Sequence, residues 1–321
     1  MLWIIPKVAF VTVSRRSALA LAAGLPLSLL ALKHAAAKAP VMRYTMTAFT
    51  NDTESDLYVY ESTDATNFQL LRGPAYRPPA GLLRDPCLFR HVDGVYYLTY
   101  TTAWEGQAIG FARSTNRVDW QHMYDFPIQV DGLNVTSSWA PEWLVDAQGR
   151  VNVIVSLSDG CRFTPHVMTA TDPSLQSWTR LTPLAGLGPV PGYVTPADRP
   201  TCDRFGYGYI DTTIVHHDGV YFAFTKNETS KLIELAIAPA PLGPYLFVET
   251  GDWAGWGAPR EGQCVIPLPN GGWRIFFDDY DENNPRYFYS DSADLRGWTA
   301  PTELPGLSGT VRHFTVIPEI A

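Results

Sequence analysis

Five polar residues each stand at the head of a short apolar run: Asp85 in LLRDPCLF, Glu142 in SSWAPEWLV, Asp211 in YGYIDTTIV, Glu261 in PREGQCVIP and His313 in TVRHFTVIP. Successive members are 57, 69, 50 and 52 residues apart. Read alone, any one of the acids is a turn or strand-initiating residue, because Asp is common at such places. The set reads differently. Four carboxyl groups and an imidazole gathered in one space repel and destabilise, so such a cluster calls for a metal, a ligand or proton-transfer work.

The elements that would gather them repeat with a similar spacing. Aromatic-rich second strands recur as VYYLTYT (95–101), VNVIVSL (151–157), VYFAFTK (220–226) and WRIFFDD (273–279). The turns before them, HVDG, DAQG, HHDG and PNGG, are hairpin signals. Trailing turns recur as STDATNF from Ser62, STNRVDW from Ser114, ATDPSLQSW from Ala170, IAPAPLGPY from Ile237 and SDSADLRGW from Ser290, with starts 52, 56, 67 and 53 residues apart. No later stretch shows sustained helical periodicity. A sandwich stays open, but regular spacing with a signature per unit predicts an all-β, five-bladed β-propeller, which leaves few exposed sheet edges. RYTMTAFTNDTESDLYVYES would complete one blade together with the strand around HFTVIPEI. In such a ring the first strand of each blade lines the channel, and the five polar residues, at equivalent positions, would face one funnel.

At 321 residues and 46% hydrophobic content the chain can bury a large core, and it reads as one domain, 38–321, after a leader, 1–37. In the leader, Arg15-Arg16 precede an apolar stretch broken by Gly24 and Pro26 and closed by Ala35-Ala36-Ala37, an order that resembles a twin-arginine export signal. Its roughly fifteen apolar residues fall short of the ~20 a spanning helix needs, so export to the periplasm or the exterior without a stable membrane span is expected. A monomer is expected too. Loss of Lys7, Arg15, Arg16 and Lys33 with the leader leaves 20 basic against 32 acidic residues, a net charge of -12. Nucleic acid is therefore excluded as a partner and a neutral ligand fits. Cys87, Cys161, Cys202 and Cys264 form no C-x-x-C pair. Structural thiols, or one or two disulfides of open connectivity, are expected.

The strings RDPCLFRHVDGVYYLTYT, WAPEWLVDAQG, IDTTIVHHDGVYF, EGQCVIPLPNGGWRIFFDDY and RHFTVIP resemble the five successive blade motifs of glycoside hydrolase family 43, exported bacterial enzymes acting on arabinose- and xylose-containing glycans. The resemblance runs from about Tyr44 to Ile320. It implies single-displacement hydrolysis with inversion: Asp85 as general base, Glu261 as general acid, and Asp211 as the carboxylate that orients Glu261 and raises its pKa. Inverting pairs stand about 6.5–9.5 Å apart to admit water, and a third carboxylate near the acid disfavours its ionisation. His313, following Arg312, looks like the family's channel histidine. A calcium ion near it would be held mostly through waters, and no cofactor is required. Trp104 and Trp139 are candidates for stacking on a sugar face. Lys226 with Glu228, Glu142, Gln263 and Arg312 complete the expected substrate-binding set. Where the family usually has EGP and RHG this chain has EGQ and RHF, which would place the Gln263 amide and the Phe314 ring near the rim.

The resulting expectation is an exo-acting α-L-arabinofuranosidase on an oligo- or polysaccharide, with β-xylosidase or another exo-glycosidase as the alternative. Retaining invertase-like fructosidases share the RDP string, but their upstream NDPNG-type motif and appended sandwich have no counterpart here. A carbohydrate-binding propeller that had lost catalysis would be marked by a missing triad carboxylate, and Asp85, Asp211 and Glu261 are all present.

Overall fold

Aromatic and β-branched residues alternate with small ones through each repeat, and a turn closes each run, so every unit folds back on itself as an antiparallel meander. The computed structural model describes residues 41–188, 206–281 and 283–320. The leader 1–37 and Cys202 lie outside these residues. Every regular element among the described residues is a strand, and none is a helix long and apolar enough to cross a membrane.

The first unit contributes β1 (Met42–Thr50), β2 (Thr53–Ser62) and β3 (Gln69–Tyr76). Four complete sheets follow. They are β4 (Arg84–Arg90), β5 (Tyr96–Thr101), β6 (Ala108–Ser114) and β7 (Trp120–Pro127); then β8 (Ser137–Val145), β9 (Val151–Ser158), β10 (Phe163–Thr169) and β11 (Thr182–Pro183). Next come β12 (Tyr209–His217), β13 (Val220–Asn227), β14 (Leu232–Ala238) and β15 (Leu246–Glu249), and last β16 (Glu261–Pro267), β17 (Trp273–Asp279), β18 (Arg286–Ser292) and β19 (Thr302–Glu303). The final strand, β20 (Val311–Ile320), pairs with β1 and completes a fifth four-stranded sheet in the order β20-β1-β2-β3. This is the five-bladed β-propeller expected from the repeats. The turn HHDG shows why the hairpins form where they do. Asp218 and Gly219 have φ of 49° and 79°, the two left-handed residues that a two-residue type I′ turn requires.

Alternation along the second strands glues the blades together. In β17, Phe276 packs with Tyr44, Met46 and Phe314, whereas Phe277, on the opposite face, packs with Phe222, Phe224 and Trp256. Burying each of these rings stabilises the ring of blades by ~1.5–3 kcal/mol.

Closure rests on β20, in register with β1 from Met42↔Ile320 to Thr50↔Val311. Buried Glu319 accepts from Arg43 and Thr45 of the closing blade and from Arg90 and Tyr96 of the next, latching the seam from both sides. A chain ended at Thr310 loses this strand, its latch and one wall of two hydrophobic blade faces. It is expected to lose its cooperative thermal transition, checked by circular dichroism melts beside the full chain.

The channel-lining strands share an irregularity. Where β4, β8, β12 and β16 meet their neighbours, and where β20 meets β1, two residues oppose one. The first residue of each bulge is left-handed: Asp85 (φ 51°), Ala140 (46°), Asp211 (54°), Gly262 (59°) and His313 (32°). Asp, His and Gly are enriched among residues that adopt this conformation. These five are the equivalent positions of the ring, and here the structure corrects the sequence reading. Asp85, Asp211 and His313 occupy the bulge, but Glu261 stands one residue before it and Glu142 two after, and all lie within the strands rather than ahead of them.

Candidate active site

A bulge turns a side chain that a regular strand would direct elsewhere, and here three of the five turn toward one point. Asp85 Oδ1 lies 3.2 Å from His313 Nδ1, and Asp211 Oδ2 lies 3.9 Å from the same nitrogen. The Thr101 hydroxyl donates to Asp85 Oδ2 at 2.7 Å, and the Gly262 amide donates to Asp211 Oδ2 at 3.2 Å. Gly262 is required there for two reasons. Its φ is left-handed, and a Cβ would stand 2.8 Å from His313 Cγ.

Glu261, one residue off the bulge, meets a different set of partners. Lys226 Nζ donates to its Oε2 at 2.6 Å and Arg312 Nη2 to its Oε1 at 3.0 Å. Both cations are themselves shared. Lys226 also donates to Glu228 Oε1 at 3.0 Å and lies 4.4 Å from the centre of the Tyr280 ring, while Arg312 Nε donates to Asp278. Asp85, Asp211, Glu261, Lys226, Glu228, Tyr280, Arg312 and His313 line one pocket of about 460 Å³, within the ~300–1,000 Å³ typical of small-molecule sites. Trp104 and Trp139 form its lip, their rings 5.6 Å apart at 82°.

The charges divide unevenly. Burial alone would raise Asp85, yet the His313 imidazolium, with Arg84 and Thr101 adding, holds its carboxyl well below the usual carboxylate range. Burial would likewise lower His313, but Asp85 and Asp211 bring it up to about 10. Asp211 is pushed up to about 6 by burial, with His313 opposing and Glu261 adding. Glu261 goes down to about 2, because Lys226 and Arg312 outweigh its burial. In the resting site the two cations thus hold Glu261 as a carboxylate despite its burial and its repulsion with Asp211. Of the three acids Asp85, Asp211 and Glu261, Asp211 is the first to take up a proton as pH falls, at about 6.

The His313–Asp85 pair carries a pH signature. A group whose folded pKa is raised, as His313 is from 6.5 to about 10, contributes stability that is full below about 6.5 and is lost as pH rises through 10. Thermal melts between pH 6 and 10 should therefore slope downward. Much of that slope should vanish in His313→Asn, a residue that tolerates the left-handed backbone.

Most of the sequence-predicted residues converge on the pocket, but Gln263, Phe314 and Glu142 do not. Gln263 is 1% exposed, and its amide donates to the carbonyls of Asp211 and Phe224, so it braces the backbone behind Asp211 rather than facing a ligand. Phe314, expected with it near the rim, is stacked on Tyr287 in the core. The reason is the bulge, since the residue after the left-handed one turns away from the pocket. Glu142 is buried beside the channel, accepts from the Cys87 thiol at 2.7 Å, and is pushed up to about 7 by burial despite that bond. It belongs to the network behind the wall. Cys87 and Cys264 are free buried thiols, whereas Cys161 is disulfide-bonded. Several pocket residues escaped the sequence reading, among them Glu54, Arg84, Thr101, Lys231 and Tyr280, of which Arg84 was visible as the neighbour of Asp85.

Among the described residues no group of three or more His, Cys, Asp or Glu is placed to hold a metal ion directly, so a calcium beside His313 would depend on waters for most of its ligands.

No family model and no curated protein matches the sequence. Solved structures do match in three dimensions. A thermostable family-43 glycoside hydrolase superposes with a TM-score of 0.62 at 15% identity, over 83% of this chain and 92% of its own. The fold is that of family-43 glycoside hydrolases. A Bacteroides thetaiotaomicron protein described as an endo-1,4-β-xylanase superposes at a TM-score of 0.62 and 14% identity, over 82% of this chain and 91% of its own. So does a Cellvibrio cellulosa α-L-arabinanase complexed with arabinohexaose, at 0.56 and 15% over 83% and 93%.

Proposed function

We propose that the chain is an exported inverting glycoside hydrolase acting on arabinose- or xylose-containing glycans, and that it works as an exo-acting α-L-arabinofuranosidase. One observation carries the reading: Asp85, Asp211 and Glu261, from three different blades, line a single pocket beneath two tryptophans. The xylanase and arabinanase names of proteins with the same fold point to the glycan class.

In this reading Asp85, ionised at neutral pH and oriented by Thr101 and His313, accepts a proton from water as that water attacks the anomeric carbon. Glu261 protonates the departing glycosidic oxygen from the other side. Its resting contacts with Lys226 and Arg312 must loosen first. A neutral sugar seated between Glu261 and Lys226 separates that ion pair and excludes water, which favours the protonated carboxyl. Asp211, whose own carboxyl holds a proton near pH 6, then stands beside Glu261 as a proton-sharing neighbour. Trp104 and Trp139 offer apolar faces to the sugar rings.

The test is hydrolysis of aryl α-L-arabinofuranoside and aryl β-D-xyloside by the chain lacking 1–37, with the product anomer followed by NMR. Inverted arabinose is expected. Retention of configuration overturns the mechanism, and sugar binding without turnover of either substrate overturns the enzyme reading in favour of a binding propeller.

A further inference from the structure

Arg84 is held on three sides. Its Nη1 donates to Glu54 Oε1 at 2.6 Å, and its guanidinium lies 4.0 Å from the centre of the Trp104 ring and 5.0 Å from that of Phe49. Glu54 turns its second oxygen to the same tryptophan and accepts from Trp104 Nε1 at 3.0 Å. One carboxylate thus ties both the edge of the indole and the cation stacked upon it. Trp104 sits in the loop between β5 and β6 and is 45% exposed; Ser137 and Trp139 hold its carbonyl and the Trp139 ring meets it edge-on, while Glu54 is the group that bonds the indole nitrogen.

Glu54 is rigidly placed. It is the second residue of β2, in the blade that closes the ring, and its carbonyl accepts from the Leu83 amide at 2.6 Å at the entry to β4. Isolated ion pairs at a surface contribute little, but the Arg84 side chain is only 13% exposed and lies between two rings, where charge-assisted hydrogen bonding and cation–π attraction are stronger than in water.

We propose that Glu54 is a positioning residue that clamps Arg84 and Trp104, presetting the tryptophan as the sugar platform at the pocket lip. The base does not depend on the clamp: Asp85 is held by Thr101 at 2.7 Å and His313 at 3.2 Å, with Arg84 Nε only at 4.0 Å. Fixing the ring before the sugar arrives removes an ordering cost from binding. The inference rests on the glycosidase reading above.

Steady-state kinetics of Glu54→Ala, Trp104→Ala and the double variant test it, with Asp85→Asn in the same assay. Glu54→Ala is expected to raise KM about tenfold with kcat within about twofold, the pattern of lost uniform binding. Glu54→Gln, which keeps one of the two acceptor bonds, should fall between. In the Trp104→Ala background, loss of Glu54 should add almost nothing, because residues that act as a unit are not additive. An unchanged KM in Glu54→Ala, or full additivity in the double variant, overturns the clamp. Wild-type turnover in Asp85→Asn overturns the glycosidase reading instead, which keeps the two failures apart.

Discussion

Asp85→Asn is expected to lower kcat by about three orders of magnitude while leaving the fold intact. Positioned general base catalysis contributes roughly 10²–10⁴-fold, and an amide cannot accept the proton that attacking water must lose. The substitution isolates chemistry from structure. Residue 85 has φ of 51°, a conformation in which Asn is as much at ease as Asp and Ala is not, and the amide oxygen still accepts from Thr101. What is lost is the negative charge beside His313, so the thermal midpoint should fall modestly at neutral pH. As Asp85 is held low in the folded state, its contribution is present above the unfolded carboxylate range near pH 4 and disappears as pH falls further, so wild type and variant should converge in strong acid. Turnover within tenfold of wild type would remove Asp85 from the chemistry.

Lys226→Met should shift the pH profile more than it changes the maximal rate. The alkaline limb of kcat/KM reports the free protein's general acid, and Glu261 is held down to about 2 by Lys226 and then Arg312 against its burial. The wild-type limb should accordingly lie well on the acid side of neutrality. Removing one of the two opposing charges raises Glu261 and moves the limb upward by about one to three units, the size of shift that one close opposite charge produces. Because Arg312 stays, the carboxyl remains anchored at its other oxygen. A limb that stays put would assign the proton to a different group, and Asp211, at about 6, would be the one to examine by Asp211→Asn.

The ring itself was legible because its signals are local. Asp218-Gly219 demands a tight hairpin wherever it occurs, and strands such as WRIFFDD show their two buried faces through the alternation of large side chains. Closure was legible because the first and last segments each lacked the rest of a blade. The bulges were not. A proline follows Asp85 and Ala140, but Thr212, Gln263 and Phe314 follow the other three left-handed residues, so no common residue marks the offset. That offset separates Glu261 from Asp85 and sends Gln263 and Glu142 behind the wall. Glu54 was missed for a related reason. Nothing near NDTES announces a partner thirty residues on, and only the docking of β2 against β4 brings the two together.

Arg312 and His313 both ride on β20, the strand that closes the ring. The pocket is thus finished by the strand that closes the propeller, and a chain whose blades have formed but whose seam is still open has neither the imidazolium beside Asp85 nor the guanidinium on Glu261. Turnover therefore serves as a reporter of topology. In refolding, catalytic competence should trail the return of β-sheet signal, and a silent yet well-ordered population would mark molecules waiting for their two ends to meet.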